Sequence, residues 1–136
     1  MITAVDTSVL LDVFGADPVF GPRSAQALRS CLREGRLVAC EVVWAEVASV
    51  FPSSALAREA IDRLAVEFDP IDQDAALAAA SAWKVYRARG GRRQRVVADF
   101  LIGAHARRQA ERLLTRDRGF YRAYFAGLSV LDPSRP

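Results

Sequence analysis

The start of the chain joins a short apolar run to a single carboxylate. Residues 2–5 are mostly apolar and rich in β-branched side chains, a pattern typical of a strand buried in a parallel sheet. The run ends at Asp6, and Thr7 and Ser8 are typical cap residues for the apolar helical pattern that follows. Open α/β sheets place their chemistry at the carboxyl ends of strands. Asp6 is therefore either a site residue or simply the cap of that helix.

Further apolar runs alternate with helical patterns along the rest of the chain. Candidate strands lie at residues 37–40, 68–71, 113–115 and 128–131, with helices predicted between them. Strands that alternate with helices indicate an α/β fold with a parallel sheet covered on both faces. A chain of 136 residues without a long linker, repeat or low-complexity tract is expected to form one domain, residues 1–136.

Composition restricts the class of function only weakly. Apolar residues make up 51% of the chain, which excludes global disorder. The net charge of +3 comes almost wholly from arginine, with eighteen Arg against the single Lys84. Arginine suits phosphate because its planar fork grips two oxygens. A GC-rich genome also produces Ala- and Arg-rich chains, so composition permits a nucleic-acid partner without showing one.

Two cysteines and the hydropathy pattern bear on the cellular compartment. Cys31 and Cys40 lie within or beside apolar runs and form neither a CxxC pair nor a ligand cluster, which predicts core thiols in a reducing cytoplasm. No basic leader precedes an apolar stretch, and no apolar run approaches the length of a membrane span. We therefore expect a cytoplasmic protein that does not enter the membrane.

Two carboxylates interrupt apolar helical patterns. Glu46 has Val43 and Val50 as helical neighbours, and Asp99 lies three residues before Ile102. A carboxylate on an apolar face loses hydration unless a cation or a hydrogen-bond donor meets it. Each also has a simpler explanation. Glu46 fits a partly exposed helix edge, and Asp99 fits a first-turn acid that compensates the helix dipole.

A fourth carboxylate follows a predicted strand, as Asp6 does. Asp117 comes just after the run at 113–115, although its spacing alone favours a turn residue before Gly119. Parallel topology gathers strand ends and helix starts along one sheet edge, so four incidental acids are the less plausible interpretation. We therefore expect these acids to converge in the fold.

Carboxylates gathered at one edge cannot all stay ionised without a counter-cation, because like charges raise one another's pKa. A hard divalent ion, Mg²⁺ or Mn²⁺, prefers oxygen ligands, can generate hydroxide from bound water and can neutralise charge on a phosphate. That chemistry is phosphodiester hydrolysis. The candidate catalytic residues and metal ligands are Asp6, Glu46, Asp99 and Asp117. Ser8 and Thr115, each two residues from an acid, are candidates for orienting ligands or water, or for capping and turn formation.

Six basic side chains fall within the twelve residues from 84 to 95, just ahead of Asp99. A basic loop around Gly90 and Gly91 is well placed to hold an RNA backbone beside the acids. The alternative is a solvated helix end whose cations favour the C-terminal dipole. The candidate RNA-binding residues are Arg89, Arg92, Arg93 and Arg95.

Some other polar residues are assigned to the surface or to capping. Asp12 and Asp72 are predicted to be helix-surface or capping acids. His105, the single histidine, cannot build a histidine metal site alone and is expected at the surface or the edge of the core. Arg116, with Arg118 and Arg122, would extend the basic surface around Asp117.

Four features in chain order resemble the PIN-domain ribonucleases and, more narrowly, the VapC toxins of bacterial toxin–antitoxin pairs. They are Asp6-Thr-Ser-Val-Leu-Leu, a lone Glu46 in an apolar helix, Asp99-Phe-Leu-Ile-Gly-Ala-His-Ala106 and Thr115-Arg-Asp117-Arg-Gly-Phe120. The resemblance spans the whole chain. It implies a single PIN-like domain, a three-layer α/β/α sandwich with a central parallel sheet of four to five strands. Members of this family usually carry Ala at the position of Gly103.

The resemblance also implies an activity and partners. It implies a Mg²⁺- or Mn²⁺-dependent endoribonuclease that cuts transfer or ribosomal RNA, with Asp6, Glu46, Asp99 and Asp117 at the family's acidic positions. The implied partners are a VapB antitoxin, whose C-terminal segment covers the site, and a second copy in a homodimer. The alternative function is a PIN-like module that binds RNA or a partner without cutting it.

Overall fold

A computed structural model describes residues 1–91 and 97–135 of the chain. Within them, five strands form one all-parallel sheet in the order β3-β2-β1-β4-β5. The predicted α/β fold with a central parallel sheet is therefore confirmed. The strands are β1 (Ile2–Val5), β2 (Arg36–Ala39), β3 (Val66–Phe68), β4 (Arg112–Leu114) and β5 (Val130–Leu131).

Helices connect all of these strands and cover both faces of the sheet. The first two crossovers step from β1 towards β3, and the next two return to β4 and β5 on the other side of β1. Because such crossovers are right-handed, this reversal puts the two groups of helices on opposite faces. Contacts follow the grouping, since α1 packs on α2 and α3 whereas α5 packs on α6 and α7. The helices are α1 (Thr7–Phe14), α2 (Gly21–Glu34), α3 (Glu41–Ala48), α4 (Ser54–Arg63), α5 (Gln73–Ala88), α6 (Val97–Gln109) and α7 (Arg118–Tyr124).

Strand boundaries differ from the sequence predictions by up to three residues. β3 lies ahead of the predicted 68–71 because Pro70, which has no N–H, cannot continue the ladder. The Asp69 N–H makes the last bond to β2, donating to the Ala39 carbonyl at 3.0 Å. β5 covers only the second half of the predicted 128–131.

Helix boundaries show the same kind of difference. Two Gly and two Pro within residues 15–22 predict a loop there, but α2 already begins at Gly21. Pro22 lies in its first turn, where the missing N–H costs no intrahelical bond. The helical pattern predicts a helix from about residue 96 to residue 113, but α6 ends at Gln109 because the residues that follow form β4. The two serines at 53–54, ahead of an amphipathic helical pattern, predict a cap, and Asp72 is predicted to be a surface or capping acid. Ser53 and Asp72 do cap α4 and α5 through their side chains.

The core lies between the inner strands and the two helical layers. β1, β2 and β4 are buried almost throughout, and Phe100 and Tyr121 are among the largest fully buried side chains. Both cysteines are buried free thiols, as predicted. No helix within residues 1–91 and 97–135 combines the length and apolarity needed to cross a membrane.

Gly103 allows α6 to approach the end of α7 closely. A Cβ at this position would overlap the ring of Phe125. Phe125 is buried and belongs to an aromatic cluster with Phe100, Phe120 and Tyr124. Gly103 is therefore matched to a bulky neighbour in the core.

Candidate active site

Two neighbouring strands end where the candidate acids lie. Val5 of β1 pairs with Leu114 of β4, and the Asp6 N–H donates to the Leu114 carbonyl at 3.0 Å. Thr115 and Asp117 follow β4 directly. Because the strands are parallel, these residues emerge at the same carboxyl edge of the sheet.

Asp6 is a buried carboxylate with one donor on each oxygen. Its side chain accepts the Thr7 N–H at 2.8 Å through Oδ1 and the Thr115 hydroxyl at 2.7 Å through Oδ2. The residue is only 8% exposed. Asp6 does cap α1, so the local alternative describes its backbone correctly. It does not account for the bond to Thr115, which comes from the far end of the chain.

Burial raises the pKa of the Asp6 carboxyl from its usual 3.8 to about 6. The two hydrogen bonds from Thr115 and Thr7 work against this rise, whereas the charges of Asp99 and Asp117 add to it. Both carboxylates are therefore near enough to act on Asp6 electrostatically. The structure thus places two of the predicted acids, Asp99 and Asp117, within electrostatic range of a third, Asp6.

Asp99 and Asp117 occupy the starts of two helices. Asp99 lies half-buried in the first turn of α6, where a carboxylate also compensates the helix dipole. Asp117 is the residue before α7, and its side chain makes no capping bond to that helix. Its N–H instead donates to the Thr115 hydroxyl oxygen at 3.0 Å. One buried hydroxyl thus contacts both Asp6 and Asp117.

Glu46 is linked to this group through Thr7. Its Oε1 accepts the Thr7 hydroxyl at 2.7 Å, while the Thr7 N–H binds Asp6. Glu46 itself is exposed, as the helix-edge alternative expected, and Val43 and Val47 form the buried side of α3. The sequence predicts Thr7 only as a cap residue, not as a link between two acids. Its only sequence signal is the place directly after Asp6, and its contact with Glu46 spans 39 residues.

Ser8 does not contact Asp6 as Thr115 does. Its hydroxyl oxygen is buried and, among the residues that the structure describes, has no hydrogen-bond partner. A buried hydroxyl without a partner costs roughly 1–3 kcal/mol. A water or ligand oxygen at this position would remove that cost, so Ser8 remains a candidate for orienting one.

The predicted basic surface is only partly within the described chain. Arg89 is exposed at the end of α5, with its guanidinium 5.7 Å from the centre of the Tyr124 ring. Arg92, Arg93 and Arg95 lie outside the described residues. Arg116 does not extend this surface, because its guanidinium binds Asp12.

Two predictions about other polar residues are wrong. The Asp12 side chain is 5% exposed and paired with Arg116, not a surface acid, because α1 turns it towards α2 and the segment after β4. His105 is buried, with Nε2 2.8 Å from an Asp69 oxygen, because α6 is covered on that side as well. The local sequence does not indicate that Asp12 or His105 is buried.

The donor set suits a hard divalent cation, although it is not a closed cage. No three His, Cys, Asp or Glu side chains in residues 1–91 and 97–135 are placed to enclose an ion. Mg²⁺ binds through one or two carboxylates and keeps several waters. An ionised Asp6 has further lone pairs beyond the two used by Thr7 and Thr115. A cation beside it would also relieve the repulsion from Asp99 and Asp117.

Comparisons with known proteins bear on the family and the fold. A family model described as PIN domain matches residues 3–126. A search of curated proteins gave no significant match.

Solved structures share the fold over the full length of the chain. VapBC2 from Rickettsia felis, bound to a promoter DNA fragment, aligns with a TM-score of 0.75 at 17% identity, covering 97% of this chain and 98% of that one. VapBC-1 from nontypeable Haemophilus influenzae gives 0.74 at 19% identity, with 99% and 100% covered. FitAcB from Neisseria gonorrhoeae gives 0.71 at 21% identity, with both chains covered completely.

Proposed function

The chain belongs to the PIN-domain family, and we propose that it is a Mg²⁺- or Mn²⁺-dependent endoribonuclease of the VapC type, a single domain over residues 1–136. The observation that carries the proposal is the buried Asp6 carboxylate at the edge of β1 and β4, repelled by Asp99 and Asp117. A bound cation would relieve the repulsion among carboxylates at a site that concentrates negative charge in this way. The phosphodiester backbone of RNA is a substrate that such a cation can bring to the acids.

In this proposal the ion would lie beside Asp6, with Asp99 and Asp117 reaching it directly or through bound waters, and Glu46 would contribute from α3 across Thr7. The bound ion would supply a water activated as a nucleophile and would neutralise charge on the phosphate. Thr115 and Thr7 fix the Asp6 carboxylate by one hydrogen bond to each oxygen. They thereby set the direction of the lone pairs that face the ion.

RNA would reach this site across the basic residues between α5 and α6. Arg89 is exposed near the aromatic ring of Tyr124, an arrangement that suits a phosphate beside a base. Arg92, Arg93 and Arg95 would add charge that follows the backbone without reading its sequence. Transfer RNA and ribosomal RNA are the two substrate classes that the family resemblance favours.

The proposed partners are a VapB-type antitoxin and a second copy of the chain in a homodimer, acting in the cytoplasm. The antitoxin is supported by the solved structures with this fold, whose names describe VapBC and FitAB-type assemblies. The antitoxin would cover the acidic edge and prevent access of RNA.

Cleavage of structured RNA by the purified chain, with Mn²⁺ or with chelator, tests the proposal. We expect metal-dependent cleavage that Asp6→Asn and Asp99→Asn each abolish while the protein stays folded by circular dichroism. Asp62→Asn is the matched control, since Asp62 is an exposed acid on α4 paired with Arg58. Full cleavage by either site variant would overturn the mechanism. RNA binding without any cleavage by the wild type would favour the non-catalytic module.

A further inference from the structure

The buried Asp12 and the half-buried Arg116 form an ion pair that joins the first helix to the segment after β4. Arg116 Nε lies 2.8 Å from Asp12 Oδ2, and Nη2 lies 3.0 Å from Oδ1, so the pair is bidentate. The Asp12 side chain is 5% exposed. A bidentate pair fixes the orientation of both groups as well as their separation.

Two further groups contact this pair. The Ser24 hydroxyl in α2 donates to Asp12 Oδ2 at 2.9 Å. The Arg116 guanidinium lies 4.1 Å from the centre of the Phe20 ring, just before α2. The Arg116 guanidinium therefore contacts both the Asp12 carboxylate and the Phe20 ring.

Arg116 lies between the two residues that shape the acidic edge. Thr115 is held by the sheet, since its N–H donates to the Leu131 carbonyl at 3.0 Å. The residues beyond Thr115 leave the sheet, and the Arg116 side chain attaches this segment to Asp12 of α1. The bond from the Asp117 N–H to the Thr115 hydroxyl depends on the path of the backbone through residue 116.

We propose that Arg116 is a positioning residue of the active site, which acts through Asp12 to hold the 115–117 segment against Asp6. The effect of Arg116 on catalysis rests on the proposed function, whereas its effect on the position of the 115–117 segment does not. Breaking the pair should loosen residues 116 and 117, weaken the Thr115–Asp117 bond and shift both Asp117 and the Thr115 hydroxyl relative to Asp6.

The variants are chosen to separate this role from general stability. Arg116→Met removes the ion pair that attaches the segment to Asp12. Arg116→Lys keeps the charge but loses the planar guanidinium that makes the pair bidentate. Ser24→Ala is the matched control. It removes a hydrogen bond to the same Asp12 oxygen but leaves the link between Asp12 and Arg116 intact.

Amide hydrogen exchange on the metal-free protein gives a readout that needs neither metal nor RNA. The Val38 N–H in the buried strand β2 reports global opening, and the Asp117 N–H reports the segment. In Arg116→Met we expect the ratio of Asp117 to Val38 exchange rates to rise about tenfold or more, and in Ser24→Ala to stay unchanged. Equal acceleration of both amides in Arg116→Met would overturn the proposal.

Calorimetric titration with Mn²⁺ gives the functional readout. We expect Arg116→Met to weaken Mn²⁺ binding and to lower kcat by about tenfold or more, with KM for RNA little changed, and Ser24→Ala to leave all three near wild type. Equal loss in both variants would overturn the positioning role. If Arg116→Met does not fold, Arg116→Lys is measured in the same way, with a smaller change in the same direction expected and wild-type behaviour contradicting it.

The two readouts separate this proposal from the proposed function. If the wild type neither binds Mn²⁺ nor cuts RNA, the nuclease proposal fails. The exchange ratio then still decides whether Arg116 holds the segment.

Discussion

The Thr115 hydroxyl donates to Asp6 at 2.7 Å across 109 residues of sequence, and both groups are buried. The same hydroxyl oxygen accepts the Asp117 N–H. Thr115 is therefore the point at which β1, β4 and the acid beyond β4 are joined. A loss of this hydroxyl should affect stability and the acidic edge together.

Replacing Thr115 tests this connection. Thr115→Val keeps the shape and removes the hydroxyl, leaving the buried Asp6 oxygen and the Asp117 N–H without their partner. We expect the free energy of unfolding to fall by about 1–3 kcal/mol in chemical denaturation, and RNA cleavage to fall at least about tenfold. Thr115→Ser, which keeps the hydroxyl, should retain most of both. Wild-type stability in the Val variant would show that the bond contributes little.

The raised pKa of Asp6 predicts an unusual pH dependence of stability in the chelator-treated protein. Between pH about 4 and about 6 the folded state keeps a proton that the unfolded state has released. Stability should therefore decrease as pH rises through this window and reach its lower level above pH about 6. One pKa step corresponds to about 1.4 kcal/mol, so the total decrease should be about 2–3 kcal/mol.

Asp6→Asn is the control for that measurement, because an amide cannot titrate in this range. Other carboxyls, such as that of Glu67, have a lowered pKa because of the hydrogen bond from Arg36, and they produce the opposite slope. The wild type minus Asp6→Asn difference in unfolding free energy isolates Asp6. A difference that is constant from pH 4 to pH 7 would contradict the raised pKa.

Divalent metal should stabilise the folded chain through the acidic edge. A ligand whose free concentration is one hundred times its Kd adds about 2.7 kcal/mol to the free energy of unfolding. We expect Mn²⁺ to raise the Tm of the wild type by scanning calorimetry, and chelator to reverse the rise. The Asp6→Asn, Asp99→Asn double variant should lose this response, whereas Asp62→Asn should keep it. An equal Mn²⁺ response in the double variant would place metal binding elsewhere.

Gly103 should tolerate no side chain. Gly103→Ala would push a methyl group into the Phe125 ring, and such overpacking costs about 1–3 kcal/mol in unfolding free energy. Gly119→Ala, in α7 with open space around the new methyl, should be neutral or stabilising by up to about 1 kcal/mol. Denaturant unfolding of both variants checks this pair. A neutral Gly103→Ala would mean that Phe125 moves aside easily.

Charge removal at Arg92, Arg93 and Arg95 should weaken RNA binding and reduce its salt dependence. Each lost phosphate contact lowers the slope of log K against log salt by about 0.7 for a single strand, so the triple Ala variant should lose about 2. A triple Ala variant at Arg33, Arg58 and Arg63, where Arg58 and Arg63 pair with neighbouring acids on α4, is the matched control. An unchanged slope, measured by fluorescence anisotropy, would remove these residues from the RNA surface.

Much of the fold could be predicted from local sequence. The apolar runs predict the strands to within a few residues, and the alternation with helices predicts an all-parallel sheet. Side-chain caps at Ser53 and Asp72 were predictable as well, because a cap depends on residues within one helical turn. Asp6 and Asp117 each follow a predicted strand, and this position also predicts that they lie at the same carboxyl edge of the sheet.

The sequence alone thus determined the element order, the sheet class and the family resemblance, since these depend on periodicity and on motifs read along the chain. Tertiary structure decided which polar groups meet: Thr7 with Glu46 across 39 residues, Asp12 with Arg116 across 104, and Thr115 with Asp6 across 109. It also buried Asp12, which the local pattern placed at the surface. The physical reason is that hydrophobic periodicity is encoded within a few turns of chain, whereas hydrogen-bond partners and desolvation depend on the packing of elements distant in sequence.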